Sequence, residues 1–136
     1  MENFSRNKAK IRQLSKSNYD EGTKEEKILY HKKRLNRQFA RLDKKTKNIV
    51  SALIDNAAFM TVTLEELQAK ITREGITTTY QNGENQWGTK KSPEAEMYNT
   101  MIKNLSTITK QLSELVPRDL GESNDDGFDD FIISNV

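Results

Sequence analysis

Apolar positions recur at helical spacing through most of the chain, and capping or turn residues interrupt them at several points. Thr23-Lys24-Glu25-Glu26 is a capping box, with a hydroxyl residue followed three positions later by a carboxylate. It predicts a helix starting at residue 24. Ile28, Leu35, Phe39 and Leu42 follow at spacings of 7, 4 and 3, which puts them on one helical face. Lys33, Arg34, Arg37, Arg41 and Lys44 fall on the opposite side. Asp43 can cap a second helix, from residue 44 to about 59, with a stripe of Ile49, Val50, Leu53, Ile54 and Ala57. Whether the first two helices are joined or broken near Asp43 stays open. Thr63-Leu64-Glu65-Glu66 is a second capping box and predicts a further helix to residue 73 or 74. Leu64, Leu67 and Ile71 would face inward there, and Gly75 suits the residue after the helix.

Residues 76–81, Ile-Thr-Thr-Thr-Tyr-Gln, are β-branched and aromatic, and Asn82-Gly83 follows them. Asn-Gly supplies the two positive φ angles of a tight type I′ turn, so a short β-hairpin or an ordered loop is expected. Trp87 lies just beyond it. Ser92-Pro93 opens the last helix as N-cap and first helical residue. Tyr98, Met101, Leu105, Ile108, Leu112 and Leu115 repeat every 3.5 residues on average, and Pro117 ends the run. The repeat is short for an independent coiled coil, so it suits an antiparallel hairpin or a packed interface between subunits. The pattern describes an all-α fold of about four helices, with a short hairpin or extended loop before the last long one. Residues 1–22 read as a basic flexible arm with room for a short helix, 23–117 as the helical core, and 118–136 as an acidic disordered tail.

At 136 residues the chain fits one small domain, and its apolar fraction of 34% is low for one. Core material is scarce, which favours stabilisation by partner subunits. The net charge of +2 hides a gradient. Residues 1–50 carry +9, residues 51–117 carry −2, and residues 118–136 carry −5. One end suits a polyanion and the other a different partner, unless both are simply solvated for solubility. The chain has no Cys, which excludes disulfides and thiolate metal sites, and His31 is its single His. No apolar run is long enough to cross a membrane, and the first residues lack the apolar stretch of a secretory signal. No membrane partner is expected.

Catalytic signals are missing. There is no phosphate-binding G-x-x-x-x-G-K-[ST] run and no G-x-G-x-x-G. Glu65 and Glu66 fall in a predicted first turn, where carboxylates favour the helix dipole. Asp125/Asp126 and Asp129/Asp130 sit in the tail, without the rigid, dry site that acid–base or metal chemistry needs. A non-enzymatic role follows, with no metal and no cofactor. His31 reads as an ordinary surface hydrogen-bonding residue, and Trp87 as a hairpin or interface anchor before a base-stacking platform. The cationic helix face is the stronger signal. Asp43 is the single acid among the cations of residues 27–47, and such a row neutralises phosphates without reading sequence. A solvated helix face is the plain alternative. The candidate DNA-binding residues are Lys33, Arg34, Arg37, Arg41, Lys44 and Lys45, with Arg6, Lys8, Lys10 and Arg12 of the arm. The helix at 63–74 carries Glu65, Glu66 and Glu74 and would repel phosphates in a major groove, which argues against a helix-turn-helix repressor. Phe128, Phe131, Ile132 and Ile133 among the tail carboxylates form a candidate docking segment for a partner protein.

The run Asn56-Ala57-Ala58-Phe59-Met60-Thr61-Val62-Thr63-Leu64-Glu65-Glu66-Leu67, then Gly75-Ile76-Thr77, Tyr80-Gln81-Asn82-Gly83 and Ser92-Pro93 before a long helix, resembles the small terminase subunits of tailed bacteriophages. The resemblance covers about residues 24–117. Many members have Asn-Pro where this chain has Ser92-Pro93, and many continue after the last helix with a Leu-Gly-Leu-Thr-Pro-like phrase where this chain has Leu115-Val116-Pro117. The resemblance implies a non-catalytic subunit of a cyclic homo-oligomer, a ring, in the host cytoplasm. Such a subunit binds double-stranded viral DNA at the packaging-initiation site and recruits and regulates the large terminase subunit, which holds the ATPase and nuclease. Tyr98, Met101, Leu105, Ile108, Leu112 and Leu115 would then pack within the hairpin or between subunits. The tail cluster would contact the large subunit. A DNA-binding transcription regulator of phage or mobile-element origin is the alternative reading.

Overall fold

A computed structural model describes residues 11–116. The candidates Arg6, Lys8, Lys10, Phe128, Phe131, Ile132 and Ile133, and the helix stop at Pro117, lie outside the described residues. The described chain is mostly helical, with four helices and a small antiparallel hairpin before the last. The first helix is a short 3-10 segment, Lys16–Glu21. Then come α1 (Lys24–Gln38), α2 (Lys44–Glu74), the strands β1 (Thr77–Gln81) and β2 (Trp87–Lys91), and α3 (Pro93–Leu115).

Three of the predicted caps form. Thr23 Oγ1 accepts from the Glu26 amide at 3.2 Å, and the Glu26 carboxylate accepts from the Thr23 amide at 3.0 Å. Asp43 accepts from the Thr46 amide at 3.2 Å. The chain turns between Phe39 and Leu42, so α1 and α2 are separate helices. Ser92 accepts from the Ala95 amide at 3.1 Å, with Pro93 at the first helical position.

The fourth does not form. Residues 44–74 are one helix of 31 residues, about 46 Å long, and not two. Thr63 sits inside it. The capping-box pattern is only a local option, and no Gly or Pro lies between 44 and 74 to end the helix there. Thr61 keeps the helical path and donates its hydroxyl to the Ala57 carbonyl at 2.7 Å. Only Gly75 ends the run. Its φ of +86° and ψ of 176° occupy a region that essentially only glycine reaches, while its amide still donates to the Ile71 carbonyl.

The hairpin also departs from expectation. Gln81 pairs with Trp87, so residues 82–86 form a five-residue loop rather than a two-residue turn. Gly83 has positive φ but Asn82 does not, and type I′ needs both. The Asn82 amide donates to the Gln86 carbonyl at 2.7 Å and closes the wider loop. Across the strands, the Tyr80 ring lies over Gly88, where a Cβ would come within 2.8 Å of it.

α2 packs against both α1 and α3. Lys24 reaches Glu66 and Lys32 reaches Asp55, so α1 runs antiparallel to α2. Lys70 meets Glu94 and the Gln68 amide meets the Tyr98 hydroxyl, so α3 starts at the far end of α2 and returns along it. The core lies between the helices and contains Leu35, Phe39, Val50, Ile54, Ala57, Leu64, Leu105 and Leu112. Two members of the predicted stripes face outward instead. Ile49 is 61% exposed and Leu115 is 40% exposed. Both sit near a helix end.

Candidate nucleic-acid interface

The two faces of α1 follow from its periodicity. His31, Leu35 and Phe39 turn toward α2 and are buried. On the other side Lys33 and Arg37 are exposed. The Arg37 guanidinium folds along the helix, with Nε donating to the Lys33 carbonyl at 3.4 Å. Arg34 is half-buried, 5.4 Å from the Tyr30 ring centroid. Residues 13–16 run beside this outer face. Between them and α1 lies an open groove of about 810 Å³, lined by Leu14, Lys16, Tyr30, Lys33, Arg34 and Arg37 among others.

Arg41, Lys44 and Lys45 are exposed at the corner where α1 gives way to α2. Lys44, Lys45 and Lys47 make no ion pair among the described residues. The nearest acid, Asp43, is engaged in capping α2, and the hydrogen bonds it accepts around Thr46 hold its carboxyl below the usual range. The positive end of the α2 dipole adds to the same corner.

Placement sorts the remaining cations. Lys24 and Lys32, on the flanks of α1 nearest α2, are neutralised by Glu66 at 3.1 Å and Asp55 at 3.3 Å. Lys27 lies 5.2 Å from the Tyr19 ring centroid. Arg12 pairs with Glu26 at 3.4 Å and donates to the Glu21 carbonyl at 3.2 Å. Its side chain stays about half exposed (48%). Thus the structure gathers Lys33, Arg34 and Arg37 around one groove and sets Arg41, Lys44 and Lys45 beside its end. It also adds Lys16, which periodicity gave no reason to include, because its place depends on how residues 13–16 cross α1.

Burial sorts the heptad positions within one chain. Leu105 and Leu112 have no exposed surface, and Tyr98, Met101 and Ile108 pack against the same core. Leu105 and Leu112 thus pack within the helical hairpin, and Tyr98, Met101 and Ile108 keep part of their surface open.

His31 is not a surface residue. It is 6% exposed, and its Nε2 lies 2.9 Å from the Tyr19 hydroxyl. The same hydroxyl is 2.9 and 2.7 Å from the two carboxylate oxygens of Glu65. Burial, reinforced by the Glu65 contact, pushes the Tyr19 phenol far above its usual range. Burial alone would raise Glu65, but the His31 ring 3.8 Å away and the hydrogen bond from the Tyr19 hydroxyl outweigh it and hold the carboxyl low. The cluster joins the 3-10 helix, α1 and α2. A lone His between charged neighbours gives no sign of this in sequence.

Trp87 stands on the hairpin at 69% exposure. Among the described residues no group of three or more His, Cys, Asp or Glu could hold a metal ion, and no helix is long and apolar enough to cross a membrane. No protein family, no curated protein and no solved structure matches the chain.

Proposed function

We propose that this chain is a non-catalytic DNA-binding subunit of viral genome packaging, of the small terminase kind. The supporting observation is the exposed cationic band that runs from Lys33 and Arg37 to Lys44 and Lys45, with no acid lining its groove among the described residues. Such a band binds the phosphate backbone and loses affinity steeply as salt rises. The antiparallel arrangement of α2 and α3 provides a rigid support for it. Ring assembly, recognition of a packaging-initiation site on double-stranded viral DNA, action in the host cytoplasm and recruitment of the large terminase through Phe128, Phe131, Ile132 and Ile133 complete the reading. These rest on the resemblance of residues 24–117.

Light scattering of the purified chain, alone and with duplex DNA, tests it. The expected result is a mass of many subunits and a DNA complex that dissociates with salt. A dimer that selects palindromic sites would favour the transcription regulator. A monomer indifferent to DNA at low salt would end both readings. Lys33→Glu with Arg37→Glu should abolish the DNA complex and leave the mass unchanged.

A further inference from the structure

The groove between residues 13–16 and α1 has two unlike linings. Leu14 and Tyr30 give it an apolar lining, while Lys16, Lys33, Arg34 and Arg37 give it a cationic one, and among the described residues no Asp or Glu lines it. A ligand for such a groove should interleave apolar side chains with carboxylates. One segment of this chain does so: Asp125-Asp126-Gly127-Phe128-Asp129-Asp130-Phe131-Ile132-Ile133. The rest of the sequence offers no comparable run.

We infer that the groove is the docking site of this chain's own acidic C-terminal segment, with Phe128, Phe131 or Ile132 on the apolar lining and the aspartates against Lys33 and Arg37. Reach permits it. α1 and α3 both run antiparallel to α2, so both end toward the N-terminal part of α2, and Arg37 of the last turn of α1 lines the groove. Phe128 lies twelve positions beyond Val116, which allows a span of up to about 40 Å. α1 itself is only about 22 Å long. Tethering places the segment near the groove at a millimolar-scale effective concentration, about what a weak charged contact requires. Residues 118–136 carry −5 against the +9 of residues 1–50, which gives the contact its sign. A docked segment covers Lys33 and Arg37, so it competes with any other polyanion for them. The inference stands apart from the DNA reading, since it is tested without nucleic acid.

The test uses the full chain with Phe131 replaced by a photoreactive benzoylphenylalanine, mixed as light and heavy isotope forms. Irradiation at low salt should give crosslinks within single chains, mapping to residues 13–16 and 29–40. They should disappear with Asp125→Asn, Asp126→Asn, Asp129→Asn and Asp130→Asn together, and with Lys33→Glu plus Arg37→Glu. Adding Asp129→Lys and Asp130→Lys to that pair should restore them. Crosslinks only between light and heavy chains, crosslinks on the hairpin or α3, indifference to the charge changes, or no crosslink at all would each overturn the proposal. Circular dichroism on each variant confirms that the helices persist.

Discussion

The Tyr19 hydroxyl bridges the Nε2 of His31 and the carboxylate of Glu65, a residue 46 positions further along the chain. This single oxygen fastens the 3-10 helix to both α1 and α2. Tyr19→Phe keeps the ring and its contact with Tyr30, 5.1 Å between centroids, but removes the hydroxyl. Losing a partly buried hydrogen bond to a charged acceptor should cost about 1.5–3 kcal/mol. The urea midpoint should fall accordingly, and the amides of residues 16–22 should exchange with solvent before the rest. Unchanged protection there would show that the segment is held by other contacts.

Acid should weaken the fold through carboxyls held below their usual range. Glu65 is lowered on balance, because the neighbouring His31 and the hydrogen bond from Tyr19 exceed the cost of burial. Glu26 is lowered by the Thr23 amide, and Asp43 by Thr46. A depressed folded-state value means that the unfolded chain binds more protons. Stability from these groups is therefore complete above the unfolded value of about 4 and is lost as pH falls through the folded values. Urea midpoints should stay level from neutral pH to about 5 and drop below that. Glu65→Gln should shallow the drop. A midpoint unchanged at pH 3 would contradict the assignment.

Leu105 and Leu112 have no exposed surface and fill the space between α2 and α3. Truncating either to Ala should destabilise the chain by about 2–5 kcal/mol. The characteristic outcome is unfolding, read by loss of the helical circular dichroism signal, at every protein concentration. A folded monomer in its place would mean that the seam serves assembly and not the core of the protomer.

Gly75 lets α2 stop and β1 begin. Its φ of +86° leaves open space where a Cβ would point, so a substitution there meets backbone strain and not a clash. Gly75→Ala should cost about 1–3 kcal/mol. Thermal unfolding would read the loss, and the hairpin amides should lose protection first. A variant as stable as the parent would show that the junction relaxes without cost.

Much of this molecule was fixed by local chemistry. Thr23, Asp43 and Ser92 each cap a helix because a side-chain oxygen three residues from a free amide needs no tertiary partner. The core face of α1 and the outward cations Lys33 and Arg37 follow from 3.6-residue periodicity alone. Local rules failed where two continuations were possible. Thr63 could start a helix or lie within one, and packing of α2 along both α1 and α3 selected the continuous helix. Asn82-Gly83 could make a tight turn, but the pairing of Gln81 with Trp87 and the seating of Tyr80 over Gly88 selected the longer loop. His31 and Glu65, or Lys16 and Arg37, become neighbours only through chain folding, since no spacing in sequence encodes a contact between separate elements. Periodicity therefore determined which face of a helix is charged, and tertiary packing decided what stands opposite that face.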